Sequence, residues 1–276
     1  MRPTEALSRP RLAAEADRRV KPSDFKVVML VDSSELSRIM YNALSRDFSI
    51  ARVLVEEDVS PLVLIRKRVK RLGLMRTIGQ VMFVAFNRVV SRLSRCRIAA
   101  LKRHYELSDA AIPAEKVVMV ESVNDEESIA LLRQIEPDAV VVNGTRIISE
   151  RVLAATDAVF LNTHVGITPR YRGVHGCYWA LVCNDRSNCG VTVHLVDRGV
   201  DTGAVLYQGS VEVGCHDDLN TYPYHQIAKA IPLMKAALRD VANGNVTPRE
   251  GIGPSRLWSH PTLFEYLKFR ALLGVK

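Results

Sequence analysis

The chain has 276 residues, 47% of them hydrophobic and 25% charged, with a formal net charge of +8. That supplies one sizeable core with room for an appendage. No apolar stretch reaches the roughly 20 residues of a membrane span. The five cysteines (Cys96, Cys177, Cys183, Cys189, Cys215) form no Cys-x-x-Cys pair and read as reduced thiols of a cytoplasmic protein.

Residues 1–24 carry charge and Pro3, Pro10 and Pro22, but no apolar core of signal-peptide length. They are expected to be a disordered lead-in. Residues 26–31 (KVVMLV) read as a buried strand, and 34–45 have helical spacing with Leu36, Met40 and Leu44 on one side. Strands are expected at 50–55, 116–120 and 139–142, with an acid-capped helix at 125–134. Segments 149–155, 159–162, 176–183, 190–195 and 204–213 continue the sheet and its helices, placing Cys183 in a buried helix. Residues 217–243 read as mostly helix, broken near Pro223. The tail 246–276, with Pro248, Pro254 and Pro261, is expected to be loop and a final short helix over the body. The whole is an α/β fold: a Rossmann-like, mostly parallel sheet with helices on both faces, spanning 25–245.

In such a sheet, ligands bind beyond the carboxyl ends of the strands. Two segments fall there, 143–148 and 162–164. Asn162 and His164 follow the apolar run 157–161, and side chains two apart on an extended segment point to the same side. Asp201 comes 37 residues after His164, just past the apolar run 190–195. An amide, an imidazole and a carboxylate facing one pocket provide an oxyanion donor, a proton-handling group and an acid that tunes it, as acyl transfer to an amine requires. His194 lies in a strand and reads as structural, its ring nitrogens bonding nearby backbone. His164, His175, His194 and Asp201 have no established metal-ligand spacing, so no metal is expected.

The order of motifs resembles the folate-dependent formyltransferases, which act on glycinamide ribonucleotide, methionyl-tRNA or nucleotide sugars. The pattern reads Asn162-Thr-His164, Pro169-Arg-Tyr171-Arg172-Gly173, His194-Leu-Val196, Asp201-Thr-Gly203 and Gln208. Upstream, the stretch 143–148 looks like the loop that receives the pterin in that family. The resemblance implies 10-formyltetrahydrofolate as cosubstrate, held by Gly144, Arg146, Ile147, Ile148, Val196 and Asp197. It also implies Asn162, His164 and Asp201 as catalytic residues. Tyr171, Arg172 and His175 are candidates for the acceptor side, although Arg172 reads equally as a turn residue satisfying carbonyls. An uncharged amine would attack the formyl carbon while Asn162 and His164 meet the charge growing on oxygen.

Residues 59–105 fall outside the resemblance. They hold 12 Lys or Arg and no Asp or Glu, so with +8 overall the rest of the chain carries a net −4. Apolar residues interleave with the cations, and two amphipathic helices broken near 73–79 are expected. Such an insertion is a solvated helical cap on the sheet, or it faces an anionic membrane, an anionic acceptor or RNA. A homo-oligomer, with these helices covering a partner subunit, stays open.

Elimination narrows the acceptor. The turn 31–35 has no glycine and carries Asp32 and Glu35, which would repel the phosphate of glycinamide ribonucleotide. The 33 residues after Asn243 are too few for the C-terminal barrel of the methionyl-tRNA enzymes. An amino sugar, nucleotide- or lipid-linked, is the expected acceptor, with nucleic acid not expected as a partner. The alternatives are a methionyl-tRNA-type enzyme lacking that domain, a formyltetrahydrofolate hydrolase, or a membrane-surface or RNA-binding protein built on the basic helices.

Overall fold

The computed structural model describes residues 25–276, so the expected disorder of 1–24 lies outside the described residues. β1 (Lys26–Val31) buries five of its six residues, as a central strand covered on both faces must. Alternate side chains divide between two cores: Val27, Met29 and Val31 on one face, Val28 and Leu30 on the other. α1 (Glu35–Leu44) follows, capped by the Ser34 side chain, and then β2 (Ser49–Glu56).

Three helices succeed β2: α2 (Pro61–Leu72), α3 (Leu74–Leu93) and α4 (Arg95–His104). The sequence reading of two helices broken near 73–79 is half right. Gly73, with φ of 81°, makes the break, but Gly79 lies inside α3. A Cβ on Gly79 would come within 2.8 Å of Thr262, so this glycine serves close packing rather than a turn.

β3 (Val117–Val120), α5 (Glu126–Ile135), β4 (Ala139–Asn143), α6 (Glu150–Leu153) and β5 (Val159–His164) complete the parallel half. The two-residue β6 (Arg172–Gly173), α7 (Gly176–Val182), β7 (Gly190–Leu195) and β8 (Val205–Ser210) come next. The sheet order is β3-β2-β1-β4-β5-β7-β8, with β7 antiparallel to both neighbours. The expected mostly parallel α/β sheet is present. α1 and the long α8 (Tyr222–Ala242) cover one face, α5 and α6 the other.

Pro223 does not break α8. It lies in the first turn, where its missing N–H has no helical partner to lose, and Pro232 is accommodated inside. The tail adds β9 (Leu257–Trp258), which pairs with β6, and α9 (Leu263–Leu273), closed by a Thr262–Glu265 capping box.

The three-helix segment packs chiefly on α9 and α8 rather than on the sheet. Three of its cations, Arg76, Arg97 and Lys102, pair with acids from elsewhere in the chain. Arg97 meets buried Asp217 at 2.8 Å, Asp217 meets His225 at 3.1 Å, and His225 bonds the Tyr105 hydroxyl at 2.8 Å. Lys102 reaches Glu35 at 3.1 Å. A third core, of Phe83, Tyr178, Trp179, Tyr222 and Tyr266, joins α3, α7, α8 and α9.

Two cysteine expectations are corrected. Cys177 and Cys189 are joined as a disulfide, because the turn after α7 carries the chain back and leaves their Cα atoms 4.2 Å apart. Cys183, expected in a buried helix, caps α7 and is exposed; Cys96 and Cys215 are likewise free and exposed.

Candidate active site

A cleft of about 390 Å³ opens at the carboxyl ends of β1, β4 and β5. Val142, Ile147, Ile148, Val196 and Val200 give it apolar walls, and Asp32, Asn162, His164 and Asp201 place polar groups among them. Every residue expected for catalysis or cosubstrate binding lines it: Asn162, His164, Asp201, Gly144, Arg146, Ile147, Ile148, Val196 and Asp197.

Asn162 and His164 share a face because both lie on β5, two residues apart. Asp201 reaches them from the loop after β7, where its backbone takes a left-handed conformation (φ 51°) that aspartate tolerates better than most residues. Its Oδ2 lies 3.2 Å from His164 Nδ1 and accepts the Gly173 N–H at 2.9 Å. Burial opposes the Asp201 charge. The adjoining imidazole of His164 and the Gly173 N–H outweigh that and hold the carboxyl well below the usual carboxylate range.

The other His164 nitrogen, Nε2, is 2.7 Å from the Tyr171 carbonyl oxygen. Carboxylate and carbonyl both accept, so each ring nitrogen of His164 has an acceptor within reach. Asn162 Nδ2 lies 3.0 Å from His194 Nε2 and 3.4 Å from Asp201 Oδ1. His194 Nδ1 faces the Leu195 carbonyl at 2.7 Å, which places its proton there and leaves Nε2 to accept from Asn162. His194 makes the backbone contact expected of a structural histidine, and it also orients the site amide.

Tyr171, Arg172 and His175 do not line this cleft. Tyr171 packs its ring on Trp258 and donates its hydroxyl to Asp185 at 2.9 Å, offering the site only its carbonyl. Arg172 pairs through its backbone with β9, and its buried Nε has no partner among the described residues. His175 bonds His260 at 3.0 Å, ring to ring. Burial, and then the neighbouring His260, lower the His175 pKa to about 3; burial and Arg68 lower that of His260 to about 4.

Three contributors were not singled out from the sequence. Buried Glu56, ending β2, accepts the N–H groups of Val123 and Arg146 at 3.0 Å and pairs with the Arg146 guanidinium at 3.1 Å. Asn124 donates to the Ile147 carbonyl at 2.9 Å and accepts from Ser149 N at 2.7 Å, tying down the 143–148 loop. Gln208, noted only as part of the motif, donates to the Thr168 carbonyl at 2.7 Å and holds the loop before Tyr171. The available signal for Glu56 was an acid directly ending an apolar strand. No metal-binding cluster is found among the described residues.

The family profile described as formyl transferase matches residues 73–231, more than half of the chain. The chain belongs to that family of folate-dependent formyltransferases. A methionyl-tRNA formyltransferase of Anaeromyxobacter dehalogenans (strain 2CP-1) is 35% identical over 133 residues, 48% of this chain and 42% of the relative. One from Caldanaerobacter subterraneus subsp. tengcongensis is 28% identical over 137 residues, 49% of this chain and 44% of the relative. The matched segment thus spans under half the length of these relatives. Among solved structures, a sugar N-formyltransferase from Shewanella sp FDAARGOS_354 shares the fold with a TM-score of 0.54 at 14% identity, covering 85% of this chain and 76% of that one. A glycinamide ribonucleotide transformylase from Symbiobacterium toebii does so with a TM-score of 0.53 at 17% identity, covering 83% and 94%.

Proposed function

We propose that the protein transfers a formyl group from 10-formyltetrahydrofolate to a primary amine, with an amino sugar as the acceptor class. The observation that carries this reading is the convergence of Asn162, His164 and Asp201 on one wall of the cleft, which the 143–148 loop after the neighbouring β4 also lines. The cleft suits the cosubstrate's chemistry: a flat polar ring needs apolar walls with polar groups at one end. Gly144 leaves the backbone bare where a Cβ would meet Asp32 at 2.6 Å.

The cosubstrate supplies the formyl carbon, and the acceptor nitrogen bonds to it as the bond to folate nitrogen breaks. Asn162 has one N–H fixed by His194 and a second held only by the long 3.4 Å contact to Asp201. That second N–H is the one free to turn toward the formyl oxygen as charge develops there. His164, held against Asp201, would add positive potential beside it when charged or take part in the proton transfer. Asp201 and the Tyr171 carbonyl fix the ring, and Asp201 is placed to pass the amine proton onward through water.

The acceptor reading is supported by Asp32 and Ser34 on the cleft wall, where a carboxylate disfavours a phosphate and favours hydroxyl or amine groups. A methionyl-tRNA acceptor is the second reading, favoured by the relatives at 28–35% identity. Titration calorimetry with 5-formyltetrahydrofolate, a stable analogue, tests the donor; folded protein that binds none at millimolar ligand would overturn the assignment. Formyl transfer to nucleotide-linked amino sugars rather than to methionyl-tRNA then decides the acceptor.

A further inference from the structure

Toward the molecule α3 turns Thr77, Gln80 and Phe83, with Val84 and Phe86 packed on the same core, and Gln80 is satisfied there by the His260 carbonyl at 2.7 Å. Toward the outside it presents Met75, Ile78, Met82, Val89 and Leu93, exposed by 82, 46, 52, 60 and 83%. Their spacing of three, four, seven and four residues keeps them on one stripe of a helix about 30 Å long. α2, alongside, has no buried residue and exposes Leu62, while α9, packed on α3, exposes Phe264 and Leu272. An exposed apolar stripe of this kind marks an interaction site.

The cations decide what covers it. Arg66, Lys67, Lys70, Arg71, Arg88 and Arg92 are exposed on the same two helices, within the segment that holds no acid. A second copy of this face would set like charges against each other across a two-fold axis. RNA would satisfy the cations but leave the aliphatic stripe in water. An anionic bilayer satisfies both, with the stripe at the acyl boundary and the cations among headgroups. No helix among the described residues is long and apolar enough to cross a membrane, so the helices lie on the surface.

We infer that α2 and α3 form a docking face for anionic lipid membranes, with Met75, Ile78, Met82, Val89 and Leu93 inserted and the flanking cations on the headgroups. The inference is independent of which amine accepts the formyl group.

The test is flotation of the full chain with phosphatidylcholine vesicles with and without phosphatidylglycerol, at low and high salt. The parent should float with the anionic vesicles only, and less as salt rises. Replacing Arg66, Lys67, Lys70 and Arg71 by Gln should weaken binding on the order of a thousandfold. Replacing Met75, Met82 and Val89 by Ser, with every charge kept, should weaken it about tenfold or more. Circular dichroism melts verify that both variants fold. Failure of the parent to float at low salt would overturn the inference. So would unchanged binding of the Ser variant, which would leave a solvated basic face. Preferential binding of single-stranded RNA, lost only in the Gln variant, or a solution dimer dissociated by the Ser variant, would assign the face to RNA or to a second copy instead.

Discussion

Asn162 and His194 stand directly opposite each other in the antiparallel pairing of β5 with β7, and their side chains meet at 3.0 Å. Cross-strand neighbours of this kind fix each other's orientation. Here the histidine tautomer is set by the Leu195 carbonyl, so the amide has one way to face. His194 is therefore a positioning residue. Replacing it by Phe should lower kcat by about tenfold with little change in KM, because the loss falls on the transition state. Rescue is expected from Gln, which can also accept at that position. An equal fall with Gln and Phe would reduce His194 to packing.

Removal of the site groups themselves should cost more. Asn162→Ala is expected to lower turnover by about 10²–10³, the usual effect of losing one oxyanion donor. His164→Ala should do at least as much. Asp201→Asn should also reshape the pH–rate profile, since the carboxylate holds the His164 ring. Near-parental turnover in any of the three, with an acceptor in hand, would remove that residue from the mechanism.

The His175–His260 pair makes an acid-sensitive joint. Both pKa values are lowered, to about 3 and about 4, so the folded chain binds fewer protons than the unfolded chain below the ordinary histidine value of about 6.5. Stability is then present above that value and lost as pH falls through it. Both rings are partly exposed and water screens the effect, so the pair should contribute about 1 kcal/mol of difference between pH 7 and pH 5.5. Urea unfolding at the two pH values, in the parent and in His260→Gln, measures it. The variant should lose part of the slope.

Asp217 anchors α4 through Arg97 and His225. Burial opposes its charge, but Arg97, the Gly214 N–H and His225 bring its pKa down to about 2. A depressed carboxyl contributes stability above its unfolded pKa near 4, and loses it as pH falls toward 2. Arg97→Ala should destabilise by about 1–3 kcal/mol, since it leaves a buried carboxylate short of its partner. In Asp217→Asn, the drop in melting temperature between pH 4 and pH 2 should flatten. Parallel acid profiles of parent and Asn variant would show that the anchor is not electrostatic.

The sequence by itself determined the sheet and the wall of the site. Apolar runs such as KVVMLV and the i, i+2 spacing of Asn162 and His164 are local facts, and a strand's alternation converts them directly into a shared face. The ordered motifs sufficed for the family because most of them mark a strand end or a turn. What only the tertiary structure decided came from contacts between segments distant in the chain. His194 joins Asn162 across two strands, Glu56 reaches the Arg146 loop, and Tyr171 gives the site its carbonyl while its ring turns away. The disulfide of Cys177 with Cys189 and the outward apolar stripe of α3 belong with these. Helical periodicity shows that a helix has two faces, but which one meets the body is fixed by what the rest of the chain offers it, here the aromatic core that takes Phe83 and Phe86 and the His260 carbonyl that meets Gln80, which leaves the methionines outside.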